Sequence, residues 1–230
     1  MTRKRLPDMR NLPVSDPALQ REISAVLADG FRFLRFPDFL EPYFSGHYRL
    51  LAVNTLMANT LYLTTLYLLM GVLAFSQYSS EQLQLFPLGY FITGGCLAVT
   101  LLFPRLQRFD RWFNWYTGLS TVGALVALMT AAASVQDRDA MTSAHATSIY
   151  AVIIVYAMSK MRFYMTVIWC ALAGVLHLVL LDALDLPRSF HNFQAYFIAA
   201  NLIGMGIAYI IEHRERVMFL QALLLDIDKA

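Results

Sequence analysis

Charged side chains are scarce in this 230-residue sequence: Asp, Glu, Lys and Arg make up 15% of it, against roughly 25% in soluble domains. Hydrophobic residues make up 58%, and the mean hydropathy is +0.51. A water-soluble fold of this composition would leave much apolar surface exposed to water. The formal net charge of +2 is too small to indicate a nucleic-acid partner. The composition therefore favours a chain that is solvated by lipid.

Cysteines and catalytic motifs are also lacking. The two cysteines, Cys96 and Cys170, lie in apolar runs, which does not suit a disulfide framework. There is no Walker loop, no His-Glu-x-x-His, no Cys-x-x-Cys and no Gly-x-Ser-x-Gly. The basic start Arg3-Lys4-Arg5 leads into polar residues and prolines, not into the apolar core of a signal peptide. We therefore expect no catalytic residue, metal or cofactor in this sequence.

Long hydrophobic runs, by contrast, are abundant. A membrane-spanning helix needs roughly 20 mostly apolar residues. Six stretches approach this requirement: approximately Leu51–Phe75, Leu85–Phe103, Trp112–Val135, Ser143–Ser159, Phe163–Leu181 and Phe193–Ile211. A very short connection with Lys160 and Arg162 predicts a helical hairpin of the fourth and fifth stretches. The predicted fold is an all-α polytopic membrane protein with six transmembrane helices.

The distribution of Lys and Arg predicts the orientation of these helices. Sixteen of the 18 basic residues precede the first span, follow the last, or lie in the second-to-third and fourth-to-fifth connections. Arg138 and Arg188 are the two on the other side. Since basic residues are enriched on the cytoplasmic side, both termini are predicted to be cytoplasmic.

Three regions follow from this topology: residues 1–48 before the bundle, 49–212 within it, and 213–230 after it. Asp16–Asp29 is predicted to be an amphipathic helix, with Asp16 as N-cap and Gly30 at its end. In Phe31–Pro37, aromatic residues alternate with arginines. This pattern favours a position at the membrane interface, with arginines against anionic lipid. A cytoplasmic helix packed on a soluble partner is the alternative.

Heptad spacing continues beyond the last span, and small residues precede it. The heptad sets are Ile210, Val217 and Leu224, and His213, Leu220 and Ile227. They are typical of a two-stranded coiled coil in a cytoplasmic signalling helix. Ala200, Gly204 and Ala208 form a face that permits close helix contact. We predict a homodimer whose seam comprises Ala200, Gly204, Ala208, Ile210, Val217 and Leu224, with an intramolecular contact of the small face as the alternative. Because the pattern is unfinished at Ala230, we expect the natural chain to continue.

A few polar side chains lie in or near the spans. His177 is near the middle of the fifth, where an ionisable residue suggests a ligand or metal contact. A hydrogen bond to a neighbouring Ser or Thr is the alternative, and haem is not expected because no second histidine lies at similar depth. Asn54, Asn59, Asn114 and Asn201 are further candidates for ligand binding, or else form interhelical hydrogen bonds.

Two motifs flank the predicted bundle. Leu34–Phe44 contains Phe-Pro-x-x-Leu-Glu-x-x-Phe, and Tyr209–Leu220 contains Tyr-x-x-Glu-x-x-x-Arg-x-x-Phe-Leu. With six spans between them, they resemble the bacterial six-helix membrane input domains that precede GGDEF diguanylate cyclase modules and, less often, class III adenylate or guanylate cyclase modules. The resemblance covers about Phe31 to Ala230. The sequence itself contains no GGDEF or class III catalytic sequence.

The resemblance implies a membrane sensor or anchoring domain in the inner membrane of a bacterium. Its sixth helix would pass a signal to a C-terminal cyclase module, a diguanylate cyclase in the first place. The residues predicted to transmit this signal are Glu41, Glu212, Arg214, Arg216, Phe219 and Leu220. An ion pair of Glu41 with Arg214 or Arg216 is predicted to set the angle at which the helix leaves the membrane. Because the outer connections are short, a lipophilic ligand is the expected stimulus.

Three other functions remain open at this point. A small transporter or channel would fit six spans, but buried charged pathways and evident inverted repeats are lacking. The input domain of a membrane histidine kinase would have the same topology. An integral membrane enzyme would need a catalytic constellation that the sequence does not show.

Overall fold

The structure, a computed structural model, describes residues 17–30, 32–79, 83, 85–103, 112–186 and 193–227. Within these ranges the regular elements are eight α-helices and one 3-10 turn at Arg32–Leu34. The α-helices are α1 (Pro17–Asp29), α2 (Glu41–Ala58), α3 (Thr60–Gln77), α4 (Phe86–Leu102), α5 (Phe113–Ala133), α6 (Arg138–Met158), α7 (Phe163–Ala183) and α8 (Phe193–Ile227). The predicted all-α class is confirmed for the described residues.

Several of these helices are long and apolar enough to span a membrane. Four qualify singly, namely α5, α6, α7 and α8. α2 and α3 qualify as a pair, bent by 51° at a break on Asn59. The predicted first span, Leu51–Phe75, therefore contains a break at Asn59 that the sequence does not predict. α4 is apolar but has 17 residues, at the lower end of the length that a membrane span needs. The number six stays a prediction.

The chain divides into two compact units. One comprises Val53–Ala208, and the other comprises the described residues up to Ala52 together with those from Tyr209 onward. The regions predicted separately as 1–48 and 213–230 thus contribute to one unit, which we call the terminal unit.

Within Val53–Ala208, α5 packs against α4, α6 and α7. Small and hydroxyl-bearing residues along α5 make this close packing possible. At Gly118, for example, an added Cβ atom would collide with the indole ring of Trp169. The predicted short connection between α6 and α7 is present, and Lys160 turns the chain there with a φ of 53°. α5 is thus the central helix of this unit.

In the terminal unit, α1 ends where the sequence predicts, at Gly30, whose φ is +74°. Its predicted N-cap, Asp16, lies outside the described residues. Ile23 of α1 packs in a hydrophobic cluster. The other buried members of the cluster are Phe36, Leu40, Phe44, Tyr48, Phe219, Leu220 and Leu223. α1 therefore packs on the chain itself through its apolar face.

The aromatic and arginine segment of 31–37 differs from the prediction in part. Phe33 is 76% exposed and Arg35 is also exposed, as an interfacial segment requires. Phe36, however, is 2% exposed and packs against Phe44 and Phe219. Phe31 lies outside the described residues. The segment therefore contributes to the core of the terminal unit instead of facing lipid throughout.

Candidate functional site

Arg216 on α8 is 1% exposed and lies between two carboxylates of the terminal unit. Its Nη1 donates to Oε2 of Glu41 at 2.9 Å, and its Nη2 donates to Oε1 of Glu41 at 3.2 Å. Nη2 and Nε also donate to Oε1 of Glu212, at 2.9 and 3.2 Å. The paired bonds to Glu41 have the bidentate geometry of strong guanidinium–carboxylate contacts. One guanidinium thus links the first turn of α2 to α8.

Two aromatic rings cover this guanidinium. Its Cζ atom lies 4.2 Å from the ring centroid of Phe44 and 4.8 Å from that of Phe36. The N–H of Phe36 also donates to Oε2 of Glu41 at 2.9 Å. Cation–π contacts of this kind are stronger where water is excluded. The rings therefore shield the ion pair from water, and the N–H of Phe36 helps to hold the carboxylate of Glu41 in place.

The two flanking motifs meet at this point. Phe36, Leu40, Glu41 and Phe44 come from the first motif, and Glu212, Arg216, Phe219 and Leu220 come from the second; all except Glu41 are buried. We call these eight residues the motif clasp. The predicted ion pair of Glu41 with Arg216 is present, whereas Arg214, the other predicted partner, is exposed. Whether these residues transmit a signal stays a prediction.

The buried face of α8 in the terminal unit follows the period of an ordinary helix. Its members are Glu212, Arg216, Phe219, Leu220 and Leu223, a stripe of i, i+4, i+7, i+8 and i+11. Residues of the same chain cover this stripe. Of the predicted seam, Leu224 packs partly on the same cluster, Val217 is half-buried, and Ile210 is 66% exposed. The coiled coil is not established by this packing and stays a prediction.

The small-residue face of α8 is covered within the chain. Ala200 and Ala208 belong to a buried cluster with Tyr156 and Cys170. At Gly204, an added Cβ atom would collide with the ring of Tyr156. Tyr156 of α6 occupies this face, so the alternative given above, an intramolecular contact, is present. A dimer seam that includes Ala200, Gly204 and Ala208 stays a prediction.

The structure does not gather the predicted ligand-binding residues at one place. His177 is buried and its Nδ1 lies 3.1 Å from Oγ1 of Thr130, the hydrogen bond given above as the alternative. Asn201 accepts from the hydroxyl of Tyr156 at 2.9 Å and donates to the carbonyl of Phe197 at 2.8 Å, so it joins α6 to α8. The other three asparagines are scattered: Asn54 is exposed, while Asn59 and Asn114 are half-buried.

A cavity of about 170 Å³ lies elsewhere in the Val53–Ala208 unit. It is lined by residues of α3, α4, α5 and α6, together with Leu56 of α2. None of the five predicted ligand-binding residues lines it. Sequence reasoning missed this site because its walls are leucines, alanines, threonines and serines from five helices, and no motif marks such residues.

Comparison of the chain with protein-family models, with curated proteins and with solved structures gives no match.

Proposed function

We propose that this chain is the membrane sensor or anchoring domain of a bacterial cyclic-nucleotide signalling enzyme, in the first place a diguanylate cyclase. The observation that carries the proposal is the motif clasp. The two motifs on which the resemblance depends are about 170 residues apart, yet their defining side chains pack around a single guanidinium. Such an arrangement explains why a lead-in and an exit motif would be needed together.

The proposed topology has six spans, with both termini on the cytoplasmic side of the inner membrane. Glu41 begins α2, ahead of the predicted first span from Leu51, and Arg216 follows the predicted last span, which ends at Ile211; the two are hydrogen-bonded. Residues that contact each other directly lie on the same side of a membrane, so the number of crossings must be even. If the bent pair makes one crossing, this parity supports counting α4 as a short sixth span beside that pair and α5 to α8.

In the proposed mechanism, α8 carries the signal. It is one helix of 35 residues that begins in the Val53–Ala208 unit and ends in the terminal unit. A helix transmits rotation and translation along its axis, and two alternative poses of α8 would bias a two-state output. The clasp would hold one of these poses, because the separation of Arg216 from Glu41 deprives a buried guanidinium of one of its two carboxylates, which costs free energy. A homodimer with a coiled coil beyond the clasp would then bring two cyclase modules together.

The test uses the gene's full reading frame, expressed in membranes, with cyclic di-GMP and cyclic AMP as readouts. Arg216→Met should change cyclic di-GMP production by roughly fivefold or more, since it unlocks α8. Arg214→Met is the matched control: it removes the same side chain from an exposed position two residues away and should leave production unchanged. A reading frame that encodes no cyclase module, or equal output from both variants, would contradict the proposal. A kinase module in the frame would favour the histidine kinase alternative.

A one-residue insertion after Leu225 tests the role of helix pose separately. It follows Leu223, the last residue of α8 that the structure describes as buried, and Leu224, which is half-buried, so the clasp stays intact. The insertion rotates everything downstream by about 100°. Cyclase output should therefore change as strongly as in Arg216→Met. Unchanged output would mean that helix rotation does not carry the signal.

A further inference from the structure

The cavity in the Val53–Ala208 unit has walls that offer almost no polar surface. Its leucine and methionine side chains come from α2, α3, α4, α5 and α6. Hydroxyl-bearing residues also line it, and several of their oxygens are engaged in hydrogen bonds. Thr93 donates to the carbonyls of Gly89 and Ala124, and Thr100 donates to the carbonyl of Cys96 and to Ser120. Thr93 and Thr100 thus contribute mainly methyl groups to the cavity, whereas the buried hydroxyl of Thr117 has no hydrogen-bond partner among the described residues.

Of the residues that the structure describes, no Asp, Glu, Lys, Arg or His lines the cavity. A charged ligand group placed there would lose its hydration without gaining a partner, which is strongly unfavourable. The volume of about 170 Å³ is similar to the roughly 150 Å³ of an engineered apolar cavity that binds benzene. The site therefore suits a neutral ring or a short length of hydrocarbon chain.

The surroundings of the cavity are apolar as well. Tyr150, which lines it, is 59% exposed, so the cavity reaches the surface of the unit. The neighbouring helices α3 and α4 expose large apolar side chains, among them Leu61 at 78% and Phe91 at 69%. Such a surface is solvated by lipid chains in a membrane. A ligand that dissolves in the bilayer thus has access to the site.

The position of the cavity along the chain suggests what its occupant would do. Leu56 and Leu63 line it from either side of the break at Asn59. Leu56 is in the last turn of α2, and Glu41, the partner of Arg216, is in the first turn of the same helix. A change in the bend at Asn59 would therefore move α2, the helix that carries Glu41.

We propose that this cavity is the ligand site of the domain, that it binds a neutral hydrocarbon chain or ring, and that occupancy is relayed to the motif clasp through α2. The relay rests on the function proposed above, whereas the binding does not. The chain could belong to a free lipophilic molecule or to a bilayer lipid, since both present the same chemistry to the cavity.

Binding is tested on the 230-residue protein in nanodiscs with a diazirine-bearing 1-octanol, whose crosslinks are mapped by mass spectrometry. We expect crosslinks to cavity residues of α3 to α6, displaced by unlabelled 1-octanol and not by octylammonium.

Ala124→Leu should reduce the yield of these crosslinks about tenfold by filling the cavity from α5, and Ala151→Leu should do so from α6. Ala98→Leu is the matched control on an exposed position of α4. Thermal unfolding identifies any variant that fails to fold. Equal yields in folded filled and control variants would overturn the site.

A second arm distinguishes the source of the chain. Phosphatidylcholine with a diazirine in one acyl chain is incorporated into the same nanodiscs. Crosslinks to the cavity from this lipid would identify a bilayer lipid as an occupant, whereas crosslinks from the alcohol alone would indicate a free lipophilic molecule. Crosslinking by neither probe would overturn the proposal.

The relay is tested with the full reading frame, by comparing cyclic di-GMP output with and without 1-octanol. A response that Ala124→Leu abolishes and Ala98→Leu retains is the expected result. Cavity crosslinks without such a response, in a protein whose output does respond to Arg216→Met, would overturn the relay and leave the function standing. Cavity crosslinks in a protein without cyclase activity would overturn the proposed function and leave the binding site standing.

Discussion

Arg216 is the residue on which the terminal unit most depends, because it is the cation that two buried or half-buried carboxylates share. Replacing Arg216 by Met removes the cation that Glu41 and Glu212 share. Breaking a buried pair in this way costs about 3–5 kcal/mol of unfolding free energy. Glu41→Gln should cost less, about 1–3 kcal/mol, since Arg216 keeps its contact with Glu212.

The double variant Arg216→Met, Glu41→Gln separates the ion pair from general packing. The double variant also removes the negative charge of Glu41. Its loss of unfolding free energy should therefore be smaller than the sum of the losses in the two single variants, by about 0.5–3 kcal/mol. Thermal unfolding in detergent measures all three, with Arg214→Met as a control that should change stability little. Strict additivity would show that the two residues act independently and that the shared charge does not matter.

The sequence allows the pairing of Glu41 with Arg216 to be predicted, because both lie among the few charges that flank the spans. It does not allow the environment of that pair to be predicted. Phe36 belongs to a segment whose alternating pattern is typical of the membrane interface, yet its ring covers Arg216. Glu212 and Arg216 form an i, i+4 pair, which contributes little on an exposed helix surface. Here the aromatic rings exclude water from the pair. Both the position of the Phe36 ring and the exclusion of water from Glu212 depend on contacts between residues far apart in the sequence, so a local sequence pattern does not predict them.

At the scale of single helices, the small residues of α8 differ in what they contact. An added Cβ at Gly204 would collide with Cβ, Cγ and Cδ2 of Tyr156, whereas nothing lies within 4 Å at Gly206. Tyr156 cannot easily move aside, since it is buried and donates to Asn201. Gly204→Ala should therefore destabilise the protein by about 1–3 kcal/mol. Gly206→Ala should be neutral or slightly stabilising, because Ala favours helix over Gly.

Thermal unfolding measures both glycine variants, and chemical crosslinking reports the oligomeric state. If Gly204 lay in a dimer seam, Gly204→Ala would weaken a dimer and its melting temperature would depend on protein concentration. A concentration-independent loss of stability is expected, because the contact lies between α6 and α8 of one chain.

The helices themselves follow well from hydropathy, since long apolar runs leave few other structures possible. Two features of these elements do not. The break at Asn59 has no proline or glycine to announce it, and the side chain of Asn59 makes no capping hydrogen bond to α3. The spacing of seven from Ile210 to Leu224 is compatible with a coiled coil. The same spacing of seven also occurs between residues i and i+7 on one face of an ordinary amphipathic helix. Leu220 belongs to both patterns, and in the structure it packs inside its own chain.

For the molecule as a whole, the proposed number of crossings depends on whether α4, the 17-residue helix, spans the membrane, with the bent pair α2 and α3 counted as one span. With six spans, the α5–α6 connection faces outward and the clasp faces the cytoplasm. If α4 did not cross, α5 would return the chain to the cytoplasm and the end of α8 would lie outside. Glu41 and Arg216 would then lie on opposite sides of the membrane, which their hydrogen bonds do not permit.

We therefore predict that Gln136→Cys is labelled by a membrane-impermeant maleimide on intact cells, and that Gln221→Cys is labelled only after permeabilisation. Both side chains are exposed, and the unsubstituted protein, with Cys96 half-buried and Cys170 buried, gives the background. Labelling of Gln221→Cys on intact cells would place the end of α8 outside the cell and would contradict the proposed cytoplasmic position of the clasp.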